Sequence, residues 1–209
     1  ISACLVGSEM CIRDSTWCAE ANLTHPQVVS EVHADYIKAG ADIIIANTFA
    51  TSALLFNALD RDAELLSIDK AAVKLAKDAA KSHPVAVAGS MSTMRPVVAG
   101  SDRTSKQREW PEAEARALFK RKADNLAAAG VDLIMMEMMR DADYSVWATQ
   151  AAQATGLPVW IGISVERNDD KLTGFGREDQ DFDTVARVLS ALKPDVISIM
   201  HTSPNDTDE

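Results

Sequence analysis

Three segments of the chain share one order of residues: a helix end, a small or turn-forming residue, an aspartate, an apolar run, then a polar residue. They are Ala39-Gly40-Ala41-Asp42-Ile43-Ile44-Ile45-Ala46-Asn47, Ala129-Gly130-Val131-Asp132-Leu133-Ile134-Met135-Met136-Glu137 and Lys193-Pro194-Asp195-Val196-Ile197-Ser198-Ile199-Met200-His201. A continuous apolar run after a helix reads as a parallel strand covered on both faces. Its closing polar residue falls at the strand's carboxyl end, where α/β barrels carry their chemistry.

The remaining pattern alternates in the same way. A helix is predicted over residues 26–39, with Pro26 in its first turn and Val28, Val29, Val32, Tyr36 and Ile37 on its apolar face. Gly40 ends it, and a strand follows over 42–47. Residues 62–82 read as an Ala- and Lys-rich helix broken by His83-Pro84, and 85–90 as the next strand. Residues 91–110 form a long loop of Ser, Thr, Gly and Pro, a length that in a compact domain is usually functional or mobile. Helices at 111–129, 143–155 and 179–192 alternate with strands at 131–137, 158–165 and 195–200, with a Gly-containing loop after 165. Five parallel strands joined by helical crossovers make an α/β protein. A closed barrel of eight units needs about 250 residues. The prediction is therefore an incomplete (β/α)8 TIM barrel.

Composition narrows the function classes. The chain has 209 residues, 21 Lys and Arg against 31 Asp and Glu, and a net charge of -10. No basic stripe could neutralise phosphates, which disfavours nucleic acid as a partner. No apolar run approaches membrane-spanning length, and the start lacks the apolar core of a secretory signal. The expected compartment is the cytoplasm. Neither a GxGxxG nor a GxxxxGK[ST] phosphate loop is present.

Residues 4–14 resemble one reading frame of a transposase adapter used in sequencing libraries, and residues 1–15 are read as adapter-derived. Such segments are set aside from fold reasoning. Two of the three cysteines fall there, leaving Cys18 and no disulfide argument. Residues 16–209 are then one partial barrel domain, cut at its front and, since it stops in a polar loop, open at its back.

The strand-end blocks resemble the homocysteine S-methyltransferase family. His33-Ala34-Asp35-Tyr36-Ile37-Lys38-Ala39-Gly40-Ala41-Asp42 followed by Asn47-Thr48-Phe49 is similar to that family's H-x-x-Y-x-x-A-G-A-D segment leading into N-T-[FY]. Trp17-Cys18-Ala19 resembles its W-S-A segment, and Ala88-Gly89-Ser90 its A-G-S strand end. The block from Ala129 to Glu137 resembles A-G-[VA]-D-x-[IL]-x-x-E-T, and Pro158-Val159-Trp160 its P-V-W strand. The resemblance implies a (β/α)8 barrel holding about strands two to six, with homocysteine and an activated methyl donor as substrates and methionine as product. It also implies zinc, held in the family by a cysteine closing strand six and an adjacent cysteine pair after the last strand. The family's first strand carries Asp-Gly-Gly; that strand and the pair fall outside this chain.

Glu137, at a buried strand end, can hold the ammonium of an amino-acid substrate; a structural ion pair is the plain alternative. Asn47 and Thr48 can orient substrate by hydrogen bonds or cap the following turn. Gly89 and Ser90 end a strand where a bare glycine lets backbone approach a ligand, or where the strand simply turns. His201 falls on the family's zinc-binding cysteine and Met200 on the asparagine before it. Histidine in a mixed Cys2His zinc site, a substrate hydrogen bond, or a metal-free general base all suit an imidazole there. The family's G-S-x-G-P turn is also changed, to Gly89-Ser90-Met91-Ser92-Thr93. His33 and Tyr36 are assigned to packing, Asp141 and Asp143 to a helix start, and Cys18 to a small buried position. Two functions remain: methyl transfer to homocysteine, or a metal-free barrel that binds a thiol or amino acid without transfer. The 209-residue chain alone, with open sheet edges, is expected to be inactive and prone to aggregate.

Overall fold

Glycines and aspartates at the helix-to-strand turns set the architecture. In the computed structural model, which describes residues 16, 18–97 and 108–204, the elements run α1 (Ala21–Thr24), α2 (Pro26–Lys38), β1 (Ile43–Ala46), α3 (Ala53–Ala58), a 3-10 turn (Asp62–Glu64), α4 (Leu65–Ala80), β2 (Ala86–Ser92), α5 (Glu112–Ala129), β3 (Leu133–Met139), α6 (Asp143–Gln153), β4 (Val159–Ile163), β5 (Val165–Asn168), β6 (Lys171–Gly174), β7 (Arg177–Asp181), α7 (Phe182–Ala191) and β8 (Val196–Ile199). Strands β1-β2-β3-β4-β8 form one parallel sheet in that order, and β5-β6-β7 a separate antiparallel sheet.

The repeated aspartate has a physical cause. Asp132, just before β3, accepts the backbone N–H of Val87 in β2 at 2.7 Å and pairs with Lys77. Burial raises the Asp132 carboxyl, but Lys77 and the Val87 amide outweigh that and hold it below its usual range. Asp195, just before β8, accepts the N–H of Val159 in β4 at 2.8 Å. Each aspartate thus fixes the register of its strand against the preceding one. The turn before β3 is closed by Gly130, whose left-handed φ of +90° ends α5.

Register places alternate residues on opposite faces of the sheet. Ile44, Val87, Ile134, Met136 and Ile161 face the helices and are fully buried or nearly so. Gly89 lies on that face as well: a Cβ there would stand 3.0 Å from Val131 and 3.2 Å from Leu126, so its bareness serves helix packing. The other face carries Ile45, Ser90, Glu137, Trp160, Gly162 and Ser198. At the outer strands apolar side chains meet solvent: Ile45 on β1 is 41% exposed and Ile199 on β8 40%.

Three features depart from the pattern read along the chain. The loop after residue 165 is the β5-β6-β7 sheet. The segment after Asn47 contains α3, whose Leu54, Leu55 and Phe56 are all buried. The helix predicted from residue 62 begins as a 3-10 turn and turns α-helical at Leu65. Of the loop over 91–110, residues 98–107 lie outside the described residues, as does the stretch 1–15.

Candidate active site

A break in β3 builds the site. Pairing with β4 shifts register between Met136 and Met139, and Met138 adopts a left-handed φ of +56°. Its N–H leaves the ladder and donates to Met200 Sδ at 3.2 Å. Gly162 makes room for that thioether: a Cβ there would lie 2.5 Å from Met200 Sδ. In a regular strand Glu137 and Met139 would share a face. With the bulge, Met139 is fully buried while Glu137, Met138 and Arg140 all line one cavity. That cavity, about 800 Å³, runs between α2 and the whole of β1 to the carboxyl ends of β2, β3 and β8, and is also walled by Cys18, Asn47, Ser92, Met200 and His201.

Glu137 is half-buried, and burial pushes its carboxyl above the usual value, opposed in part by the nearby Ser90 hydroxyl. Ser90 itself is fully buried, and its Oγ has no hydrogen-bond partner of ordinary geometry, so its influence on Glu137 is one of proximity. Arg140 is 5% exposed and donates from Nη1 to the Phe175 carbonyl at 3.4 Å. The small antiparallel sheet holds this corner. Gly174 in β6 packs directly on the Arg140 backbone, Phe175 stacks edge-on against His201 with centroids 4.8 Å apart, and Arg177 of β7 pairs with Asp141 at 3.0 Å. Asp141 also pairs with buried Arg95 at 3.2 Å and accepts the Ser145 N–H at 3.1 Å, which anchors the start of α6.

The candidates read from sequence separate into two groups. Glu137, Asn47 and His201 meet at the cavity. Asn47 is largely committed to the fold: its amide donates to the Cys18 carbonyl at 3.1 Å and accepts from Cys18 Sγ at 3.3 Å. Thr48 is fully buried and donates to the Ser90 carbonyl at 2.8 Å, tying β1 to β2. Gly89 packs on α5 and Ser90 lies beneath Glu137. His201 is exposed, has φ +45°, and its carbonyl accepts from Ser164 Oγ at 3.0 Å.

Sequence reasoning passed over Arg140 and a buried pair behind β1, and assigned His33 to packing without placing it at the cavity. His33 is 6% exposed at the cavity wall, its Nε2 has no hydrogen-bond partner, and burial lowers its pKa. Lys122 of α5 donates to Asp69 of α4 and to Thr51 Oγ1, both at 2.5 Å, and to the Thr48 carbonyl at 3.4 Å. Burial pulls the Lys122 ammonium down while Asp69 pushes it back up. The pair ties both helices to the turn that leaves β1.

Among the described residues no three His, Cys, Asp or Glu side chains stand together as a metal site. His201 could supply one ligand; the described residues alone do not fit a zinc ion, and no chemical step is derived through one.

A parallel α/β sheet with a cavity reaching its strand ends, walled there by a carboxylate and a buried guanidinium, is the place where α/β domains carry their ligand sites. The chain belongs to the homocysteine S-methyltransferase family, whose model matches residues 6–208. It is 28% identical over 164 residues to betaine–homocysteine S-methyltransferase 1 of Danio rerio, covering 76% of this chain and 38% of that protein. It is 25% identical over 160 residues to the S-methylmethionine–homocysteine S-methyltransferase BHMT2 of Mus musculus, covering 76% of this chain and 40% of that one. The chain thus spans about two fifths of these curated relatives. Its fold is similar to the crystal structure of the homocysteine methyltransferase MmuM from Escherichia coli in its metallated form, with a TM-score of 0.68, 22% identity, and coverage of 90% of this chain and 67% of that one.

Proposed function

We propose that the chain is the greater part of a (β/α)8 barrel and that the whole protein moves a methyl group from an activated donor to the thiol of homocysteine, giving methionine. Family membership supports the reaction class. The observation that carries the site is Glu137, a carboxylate that β3 presents in regular register with Ser92 to a strand-end cavity and that is placed to pair with a substrate ammonium. Residues at the open edges support the barrel. Val196, Ile197 and Ile199 on β8 and Ile45 on β1 are exposed apolar positions suited to further strands and helices. Asp42 stands before β1 as Asp132 and Asp195 stand before β3 and β8, in register to fix a strand beyond β1. Residues 1–15 are proposed to be adapter-derived, although the family match begins at residue 6. The cytoplasm is the proposed compartment; no helix among the described residues is long and apolar enough to cross a membrane.

The chemistry is a displacement at the methyl carbon. The thiol sulfur forms the new S–CH3 bond, the donor's bond to that methyl breaks, and its electron pair leaves with the donor. The thiol proton must go to a base, since the thiolate is the nucleophile. His201, at the mouth of the cavity, is the proposed acceptor. Glu137 orients the substrate by its ammonium.

The test is methionine formation by the full-length, metal-replete protein from homocysteine with methylmethionine, betaine or a methylated folate. At least one donor is expected to give turnover, and E137Q to lower kcat/KM by at least about thirtyfold. No methionine with any donor would leave a thiol-binding barrel without transfer and overturn the reading.

A further inference from the structure

Behind β1 the fold keeps a lysine and an aspartate out of water. The side chain of Lys122 on α5 is 1% exposed and that of Asp69 on α4 0%. Such a pair is a poor source of stability, since desolvating two charges offsets most of their attraction. This one is also incompletely met: Asp69 Oδ2 has no hydrogen-bond partner among the described residues. The ammonium is better served. Its three protons have three acceptors, Asp69 Oδ1 and Thr51 Oγ1 at 2.5 Å and the Thr48 carbonyl at 3.4 Å. Two of the three belong to the turn that leaves β1.

That turn, residues 47–52, is neither helix nor strand, yet Thr48, Ala50, Thr51 and Ser52 are all buried. Buried irregular backbone must find its partners outside a ladder. Hydroxyls supply them here. Thr48 Oγ1 donates to the Ser90 carbonyl at 2.8 Å, Ser52 Oγ to the Met94 carbonyl at 2.6 Å, and Ser92 Oγ returns to the Phe49 carbonyl at 2.8 Å. The exits of β1 and β2 are thereby laced into one wall, of which Asn47, Phe49, Ser92, Thr93 and Met94 line the cavity. Among the described residues, α4 and α5 give the cavity no side chain, so Lys122 and Asp69 can act on it only through this wall.

Resting on the methyl-transfer reading of the cavity, we propose that Lys122 and Asp69 are positioning residues whose ion pair fixes the turn 47–52, and through its hydroxyls the wall against which homocysteine is held. The pair touches no reacting atom. His201, which follows β8 and is held by Ser164 and Phe175, does not depend on it. Loss of the pair therefore acts on substrate binding and spares the chemical step.

The test applies melts, kinetics and hydrogen exchange to the full-length protein carrying K122M/D69L, which replaces the pair by apolar side chains. This variant is expected to melt above K122M and D69N, yet to show a homocysteine KM raised roughly ten- to thirtyfold with kcat within about threefold of wild type. Amide exchange over residues 46–53 is expected to quicken roughly tenfold while that of β3 and β4 stays as in wild type. T51V keeps the ion pair and the side-chain volume but removes the hydroxyl between pair and turn. It covers the case in which the double variant does not fold, and is expected to show the same rise in KM and in exchange. Recovery of wild-type KM along with stability, or unaltered exchange in the turn, would overturn the proposal, since the pair would then serve stability alone. A fall in kcat with KM unchanged would overturn it as well. If wild-type protein makes no methionine with any donor, the methyl-transfer reading has failed, and the exchange measurement still decides whether the pair fixes the turn. Wild-type turnover with unaltered kinetics in K122M/D69L and T51V means that this inference alone has failed.

Discussion

Replacing Gly174 by alanine tests whether the small β5-β6-β7 sheet holds the site. A Cβ there would lie 1.9 Å from the Arg140 carbonyl oxygen, 2.8 Å from its carbon and 3.2 Å from Cα. The obstacle is backbone, so no rotamer can give way, and β6 must retreat by more than about 1 Å to restore normal contact. Overpacking of this kind costs about 1–3 kcal/mol. The retreat also loosens the Arg177–Asp141 pair, held at 3.0 Å with Asp141 1% exposed. A hydrogen bond to a buried charge contributes about 1.5–3 kcal/mol. The sum is roughly 2.5–6 kcal/mol, or a fall in Tm of about 5–24 °C for a domain of this size. Gly162 is the internal control. Its Cβ would meet Met200 Sδ at 2.5 Å, the far end of a flexible side chain. G162A is therefore expected to cost less than about 2 kcal/mol. Thermal and urea melts of the two variants in the full-length protein decide the matter. A G174A melt within about 1 °C of wild type, or a G162A loss exceeding it, would refute the reasoning.

Other outcomes follow from the buried charges. K122M or D69N alone should destabilise by about 3–5 kcal/mol in urea, because each strands the other charge, while the double replacement K122M/D69L should recover part of that loss. His33 is neutral when buried, its pKa lowered from 6.5. The unfolded chain takes up the proton first, so stability is full above the ordinary imidazole value and lost as pH falls through it; H33Q should flatten this slope in melts between about pH 5 and 7.5. For Glu137 the raised carboxyl acts oppositely: the proton is held more tightly in the folded state, so the contribution to stability falls as pH rises above 4.5. Homocysteine needs the ionised carboxylate, so its affinity should weaken as pH falls through the raised value, and E137Q should bind weakly without that dependence.

The parallel sheet was legible because its strands are continuous apolar runs such as Ile43-Ile44-Ile45 and Val196-Ile197-Ser198-Ile199, even though Ile45 and all of β8 are exposed in the structure. The aspartates before those strands were visible as a repeat, although their task as register clamps needed the contacts to Val87 and Val159. The β5-β6-β7 sheet was hidden for the converse reason. Arg177-Glu178-Asp179-Gln180-Asp181 has no apolar alternation, since β7 is largely exposed. The available signal was Asn168-Asp169-Asp170-Lys171, a two-residue hairpin turn with Asp169 at φ +53°. Helix α3 was missed because Leu54, Leu55 and Phe56 are buried together, leaving no polar face to mark a period. Glu137 was legible as the polar residue that closes an apolar strand. Arg140 was not, because its entry into the cavity depends on a bulge whose partner, Met200, lies 62 residues away. The same holds for Lys122 and Asp69, 53 residues apart and on different helices.

The most direct measurement of the central claim is calorimetric titration of the full-length protein with homocysteine, in wild type and in E137Q. The account predicts saturable wild-type binding at millimolar ligand or below, weakened at least about thirtyfold in E137Q with the fold intact. No wild-type binding at millimolar homocysteine, or equal binding by E137Q, would contradict it.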